Sequence, residues 1–94
     1  LQIELEAVGR DLAALAGVQR VHDLHVWTLS SGTIALSAHL EIDDLADWPH
    51  LLAAARETLA QHHGISHVTL QPEVLAAAPL VRGEWAGARD RIGN

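Results

Sequence analysis

Histidine is the residue type through which this chain of 94 residues could do chemistry, because it has seven histidines and no cysteine. Two of them, His22 and His39, flank a small-residue turn at residues 30–32, nine residues before Ser31 and eight residues after it. Antiparallel pairing across such a turn places the two imidazoles opposite each other, to within a residue or two. Zn²⁺ and related borderline ions accept imidazole and carboxylate ligands. The pair therefore predicts part of a metal site, and the alternative for each residue is a solvated strand histidine.

The run after the turn, residues 34–42, alternates apolar and polar positions and predicts a half-buried strand. If helices cover its apolar face, His39 lies on the opposite face. A third β-rich run ends near Glu73, which could approach His39 on that face or at its rim. Two histidines and one glutamate would leave a tetrahedral ion room for a fourth ligand.

The run before the turn carries apolar side chains on both of its sides, so one side calls for a second partner. We expect His25, Trp27 and Leu29 on that side to contribute to a dimer interface. In a regular strand, a spacing of three residues places His25 on the face opposite His22. The two histidines are therefore not predicted to chelate one ion.

The remaining periodicities predict two helices and a third strand. Leucine and valine recur at helical spacing from Leu1 to Leu15, and Gly17 ends this first helix. A second helix is predicted from an N-cap at Asp47 to about residue 63, followed by a strand over residues 66–71. The order α-β-β-α-β predicts an α+β, ferredoxin-like two-layer sandwich with both helices on one face of a three-stranded sheet. The pattern leaves open whether the last strand pairs with the first or the second.

Composition limits the class of partner. Twelve acidic and six basic residues give a formal net charge of −6, which disfavours nucleic acid and anionic membranes and favours cations. No apolar run approaches the 18 to 20 or so residues that span a bilayer, and the absence of an initiator methionine indicates a fragment of a longer protein. No phosphate-binding loop, HExxH motif or organised nucleophile is present, so we do not expect an enzyme. Residues 1–73 are predicted to form the domain, and 74–94 a flexible C-terminal tail.

Three sequence segments carry a family resemblance: VHDLHVWTLSSG at residues 21–32, LSAHLEI at 36–42 and HVTLQPE at 67–73. From about Leu5 to Glu73, the chain resembles the C-terminal cytoplasmic domain of cation diffusion facilitator metal transporters, in particular the zinc, cadmium and cobalt exporter branch. The resemblance implies zinc ligands at His22, His39 and Glu73. It leaves the fourth ligand open between His67, water and a residue of a second protomer.

The resemblance also implies a function. It predicts a cytosolic module, on the cytoplasmic side of the membrane, that binds Zn²⁺ or another divalent ion such as Cd²⁺ or Co²⁺ and forms a homodimer. Its partner would be the membrane domain of the same transporter, which exports divalent ions in exchange for protons. Two protomers at −6 each repel one another, so ion binding near the interface would favour a closed dimer. The alternatives are a purely structural dimerisation module and a small-ligand regulator, although the chain lacks the Gly-rich loop that such a regulator would need.

Overall fold

The computed structural model describes residues 4–74, and the order of its elements is the predicted α-β-β-α-β. The elements are α1 (Leu5–Ala13), β1 (Val18–Thr28), β2 (Ile34–Ile42), a 3-10 turn (Leu45–Asp47), α2 (Trp48–His63) and β3 (His67–Val74). The predicted start of the first helix at Leu1 and the predicted tail from residue 75 onward lie outside the described residues. Within residues 4–74, no helix is long and apolar enough to cross a bilayer.

The sheet has the strand order β1-β2-β3, so β2 is its central strand. It pairs antiparallel with β1 and parallel with β3, which answers the question that the sequence pattern left open. The β3 strand extends to Val74 and contains Pro72, which is compatible with its position at the edge of the sheet because an edge strand can lack one donor.

Both helices pack on one face of this sheet, as predicted. The alternating apolar residues of β2 are all buried on that face, and Leu36, Leu40 and Ile42 are at most 2% exposed. The helices contribute Val8 and Leu12 from α1 and three further residues from α2. The buried core cluster consists of aliphatic residues: Val8, Leu12, Ile34, Leu36, Ala38, Leu40, Ile42, Leu51, Ala55, Leu59 and Ile65.

The ends of the helices agree only in part with the sequence signals. Gly17 was predicted to end α1, and this was wrong: the helix ends at Ala13, and its C-cap Ala14 has a right-handed backbone conformation. Gly64 ends α2 in the left-handed conformation, with φ of 68°, as its position after the helix predicts. Asp47 is the N-cap residue of α2, as predicted, but its side chain makes no capping hydrogen bond. The chain instead enters α2 through the 3-10 turn, where Asp44 accepts a hydrogen bond of 2.9 Å from the backbone N–H of Ala46.

Candidate metal centre

His22 and His39 lie directly opposite each other in the antiparallel pair of β1 and β2, which confirms the predicted register. Both project from the sheet face that the helices leave uncovered, because their neighbours Val21 and Leu40 pair on the core side. Their ring centroids are 5.2 Å apart, and both side chains are about one-third exposed. The hairpin alone therefore places two imidazoles within reach of a single small ligand.

Glu73 joins the pair because β3 runs parallel to β2. In this register His39 pairs with Gln71, and Glu73 lies two residues further along the same face. One carboxylate oxygen, Oε1, is 2.7 Å from Nε2 of His22, and the other, Oε2, is 2.6 Å from Nδ1 of His39. The structure thus brings together the three residues that the sequence singled out.

A β-bulge in β1 changes the predicted faces of its histidines. The register shifts between His22 and His25, and Asp23 between them has φ of 53°. The extra residue places His25 opposite Ser37, on the same face as His39 and hence as His22. The prediction that His22 and His25 lie on opposite faces was therefore wrong, because it assumed a regular strand.

Two more carboxylates belong to this cluster. Asp23 Oδ2 is 3.5 Å from Nδ1 of His22 and 4.0 Å from Nδ1 of His39. Glu41 Oε2 is 3.4 Å from Nε2 of His22. The donor atoms form two groups within 4.8 Å, His22 with Asp23 and His39, and His22 with Glu41 and Glu73. The name metal cluster is used below for these five residues.

Sequence reasoning did not select Asp23 or Glu41 as site residues. Glu41 carried a usable signal, since it follows His39 by two residues on the same strand face. The periodicity of the sequence gave no signal for Asp23, because only the bulge directs its side chain toward the two imidazoles. Aspartate tolerates the left-handed conformation better than most residues, which is consistent with its place there.

The contacts in the metal cluster shift two pKa values. The hydrogen bond that His22 donates to Glu73 is the main cause that raises the pKa of His22 above its ordinary value of 6.5. The hydrogen bonds from His39 and then His22 lower the pKa of the Glu73 carboxyl below its ordinary value of 4.5. Both shifts favour a protonated imidazole beside an ionised carboxylate.

The geometry and the chemistry of these donors fit a small divalent ion. Donor atoms around a tetrahedral zinc ion lie about 3.3 Å apart, because each is about 2.0 Å from the metal. The separation of 3.4 Å between Nε2 of His22 and Glu41 is close to this value. The separation of 3.5 Å to Asp23 is also close, but it starts from Nδ1, the other nitrogen of the same ring, so Asp23 and Glu41 would not share one ion through His22. The separations of 2.6 Å and 2.7 Å at Glu73 are those of hydrogen bonds. An ion bound there would displace imidazole N–H protons, because the carboxylate accepts these hydrogen bonds.

The other predicted site residues lie elsewhere. His67 pairs with Ala35 at the start of β3, about 13 Å along the strand from the position of Gln71. It is therefore not among the residues brought together within this protomer. At the same end of the uncovered face, Trp27 pairs with Ala35 from the other side and is 46% exposed. His25 is exposed, and Leu29 is half-buried.

Comparison with known proteins identifies the fold. Residues 2–74 match the family model described as the cytoplasmic domain of cation efflux proteins. A solved structure, the metal-bound C-terminal domain of the CzcD transporter from Cupriavidus metallidurans, superposes with a TM-score of 0.70 at 36% identity, covering 76% of this chain and 99% of that one.

Two relatives extend the comparison to whole proteins. The cadmium, cobalt and zinc/H⁺-K⁺ antiporter of Bacillus subtilis is 36% identical over 77 residues, which cover 79% of this chain and 24% of that protein. The proton-coupled zinc antiporter SLC30A1 of Rattus norvegicus is 33% identical over 72 residues, covering 77% of this chain and 14% of that protein. The chain thus spans a quarter or less of the length of these relatives. Its fold, its motifs and the match over residues 2–74 together show that it belongs to the family of cytoplasmic domains of cation efflux proteins.

Proposed function

We propose that this domain is the cytosolic regulatory part of a proton-coupled exporter of divalent metal ions. In this proposal it binds Zn²⁺, or a related ion such as Cd²⁺ or Co²⁺, and forms a homodimer that controls transport by the membrane domain of the same protein. The relatives named for cadmium, cobalt and zinc antiport support the choice of ions. The metal-bound CzcD domain supports a metal site within this fold.

The observation that carries the proposal is the convergence of His22, His39 and Glu73 on one side of the sheet. They come from three different strands: His22 from β1, His39 from β2 and Glu73 from β3. The carboxylate of Glu73 contacts both imidazoles, with Oε1 beside Nε2 of His22 and Oε2 beside Nδ1 of His39. An ion bound between these groups would be held by all three strands at once. Glu41, whose Oε2 lies beside the same Nε2 of His22, is the candidate fourth ligand within this protomer, whereas Asp23 approaches the other ring nitrogen.

Binding would act on a dimer through charge. Each chain carries −6, and the metal cluster contributes three carboxylates to the uncovered face of the sheet. If two such faces or their rims approach each other, a divalent ion in each reduces their repulsion and favours the closed arrangement. An ion at a hundredfold excess over its dissociation constant stabilises the bound state by about 2.7 kcal/mol.

A calorimetric Zn²⁺ titration of the protein tests the metal site. We expect saturable binding that His22→Ala removes, because His22 belongs to both groups of donor atoms. His39→Ala should weaken the binding strongly. His50→Ala is the matched control, since His50 is an exposed histidine on α2 in the helical layer. Binding that survives His22→Ala unchanged would contradict the proposed site.

One observation favours the alternative of a purely structural dimerisation module. The hydrogen bonds that His22 and His39 donate give both oxygens of Glu73 a partner without any metal. The exposed Trp27 on the same face supplies an apolar contact for a second copy. This alternative predicts the same dimer dissociation constant with Zn²⁺ and with a chelator, which sedimentation equilibrium measures. A dimer that tightens with Zn²⁺ favours the regulatory function.

A further inference from the structure

One basic residue, Arg20, contacts the metal cluster but is not one of its five members. Arg20 lies directly opposite Glu41 in the pair of β1 and β2, one strand position before Val21 and on the same face as His22. Its Nε is 3.5 Å from Oε1 of Glu41. Among residues 4–74, no other Lys or Arg side chain makes an ion pair with a carboxylate of the cluster.

The two oxygens of Glu41 have different neighbours. Oε1 faces the guanidinium of Arg20, and Oε2 faces Nε2 of His22 at 3.4 Å. The Glu41 side chain is only 13% exposed, whereas that of Arg20 is 70% exposed. The Glu41 side chain therefore lies largely out of solvent, and the guanidinium contacts its carboxylate from the solvent side.

We infer that the positive charge of Arg20 repels a bound cation and so limits the affinity of the metal cluster for divalent cations. With neutral imidazoles, three carboxylates and one guanidinium give the cluster a formal charge of −2, which one divalent ion neutralises. Without Arg20 the same residues would carry −3. This inference rests on the proposed metal site and adds to it a residue that tunes the affinity without ligating the ion.

The direction of the effect follows from the balance of two contributions. An exposed ion pair holds its carboxylate only weakly, so Arg20 contributes little to the position of the largely buried Glu41. Its repulsion acts on a bound ion through solvent and salt, because the guanidinium contacts Glu41 and not the ion. For a separation on the order of 7 Å, a unit charge and a divalent ion change the binding constant by about threefold to tenfold at moderate ionic strength. Removal of the guanidinium should therefore tighten binding.

Calorimetric Zn²⁺ titrations of Arg20→Gln, Arg20→Lys and Arg10→Gln test the inference. Arg20→Gln should bind about threefold to tenfold more tightly than wild type, and the difference should shrink at about 0.5 M salt. Arg20→Lys should match wild type, because it keeps the charge. Arg10→Gln is the matched control: it removes the same charge from an exposed pair with Glu6 on α1 and should leave the affinity unchanged.

Four results would overturn the inference, and the last of them would overturn the proposed metal site as well. Weaker binding by Arg20→Gln would show that the guanidinium positions Glu41 instead of opposing the ion. Equal effects of Arg20→Gln and Arg10→Gln would assign the change to net charge alone. Wild-type affinity in Arg20→Gln would show that the charge of Arg20 does not limit the affinity, and it would leave the proposed metal site intact. Absence of saturable binding in wild type would overturn the proposed metal site, and with it the role of Arg20 in limiting the affinity.

Discussion

Acidification should release Zn²⁺ from this domain over a pH range that His22 largely sets. Glu73 raises the pKa of the His22 imidazole above 6.5 through their hydrogen bond. Zn²⁺ binds only the neutral imidazole, so the ion competes with this proton. For an imidazole with a pKa of about 6.5, that competition lowers the apparent affinity about tenfold between about pH 7.5 and about pH 5.5. A raised pKa enlarges the loss, so His22 alone should lower the affinity at least about tenfold.

Calorimetry in two buffers of different ionisation enthalpy measures this linkage, because it counts the protons released with each bound ion. We expect proton release near neutral pH and weaker binding at each lower pH. Glu73→Gln removes the carboxylate that raises the pKa of His22. This variant should bind more weakly at about pH 7.5 but lose less of its remaining affinity on acidification. His50→Ala should match wild type in both respects.

Two outcomes would refute this reasoning. Equal affinity at about pH 5.5 and about pH 7.5 would exclude a titrating imidazole from the ligands. Proton release that remains the same in Glu73→Gln and wild type would show that Glu73 does not control the protonation of His22. Either result would separate the hydrogen bonds of the metal cluster from its proposed metal chemistry.

Without metal, the same contacts predict the opposite trend for stability. The raised pKa of His22 gives stability that is present below its unfolded value of 6.5 and is lost as the pH rises through the folded pKa. The lowered pKa of Glu73 gives stability that is present above 4.5 and is lost as the pH falls through the folded pKa. Both contributions are present between these values. Thermal unfolding with a chelator should show this optimum, and Glu73→Gln should flatten it.

Three further predictions concern the bulge, the core and the uncovered face. Asp23→Ala should lower the free energy of unfolding in urea by about 1 kcal/mol, because alanine is strained at φ of 53°, whereas Asp23→Asn should keep the stability and weaken Zn²⁺ binding. Leu40→Ala should lower it by about 2 to 5 kcal/mol, since Leu40 is 0% exposed at the centre of β2; a smaller loss would contradict its place in the core. Trp27→Glu should shift the protein toward monomer in sedimentation equilibrium, whereas Leu45→Glu, at another exposed residue, should not.

The elements and the hairpin register were predictable from the sequence because local signals determine them. The alternation of β2 defines its two faces, and the small-residue turn at residues 30–32 fixes which residues of β1 it meets. Gly64 marks the end of α2 because its backbone adopts a left-handed conformation there. From these signals alone, His22 and His39 could be placed opposite each other.

The bulge and the neighbour of β3 were not predictable in this way. A bulge inserts one residue without altering the composition of a strand, so periodicity cannot detect it, and the face of His25 was wrong for that reason. The choice of β2 as the partner of β3 depends on packing of α2 across the sheet, which a strand pattern does not encode. Glu73 could therefore be named as a candidate while its contact with both imidazoles could not be derived.

The crossover through α2 is what brings the carboxylate of Glu73 to the imidazoles. A helical connection between β2 and β3 allows them to run parallel, so β3 ends where β2 ends, at the open end of the hairpin. An antiparallel β3 would bring Glu73 to the turn end, beside Ala35 and far from His39. The metal cluster therefore depends on the packing of α2 as well as on the hairpin. An ion bound by all three strands would in turn hold the edge strand β3 against the rest of the sheet, which links metal occupancy to the rigidity of this face.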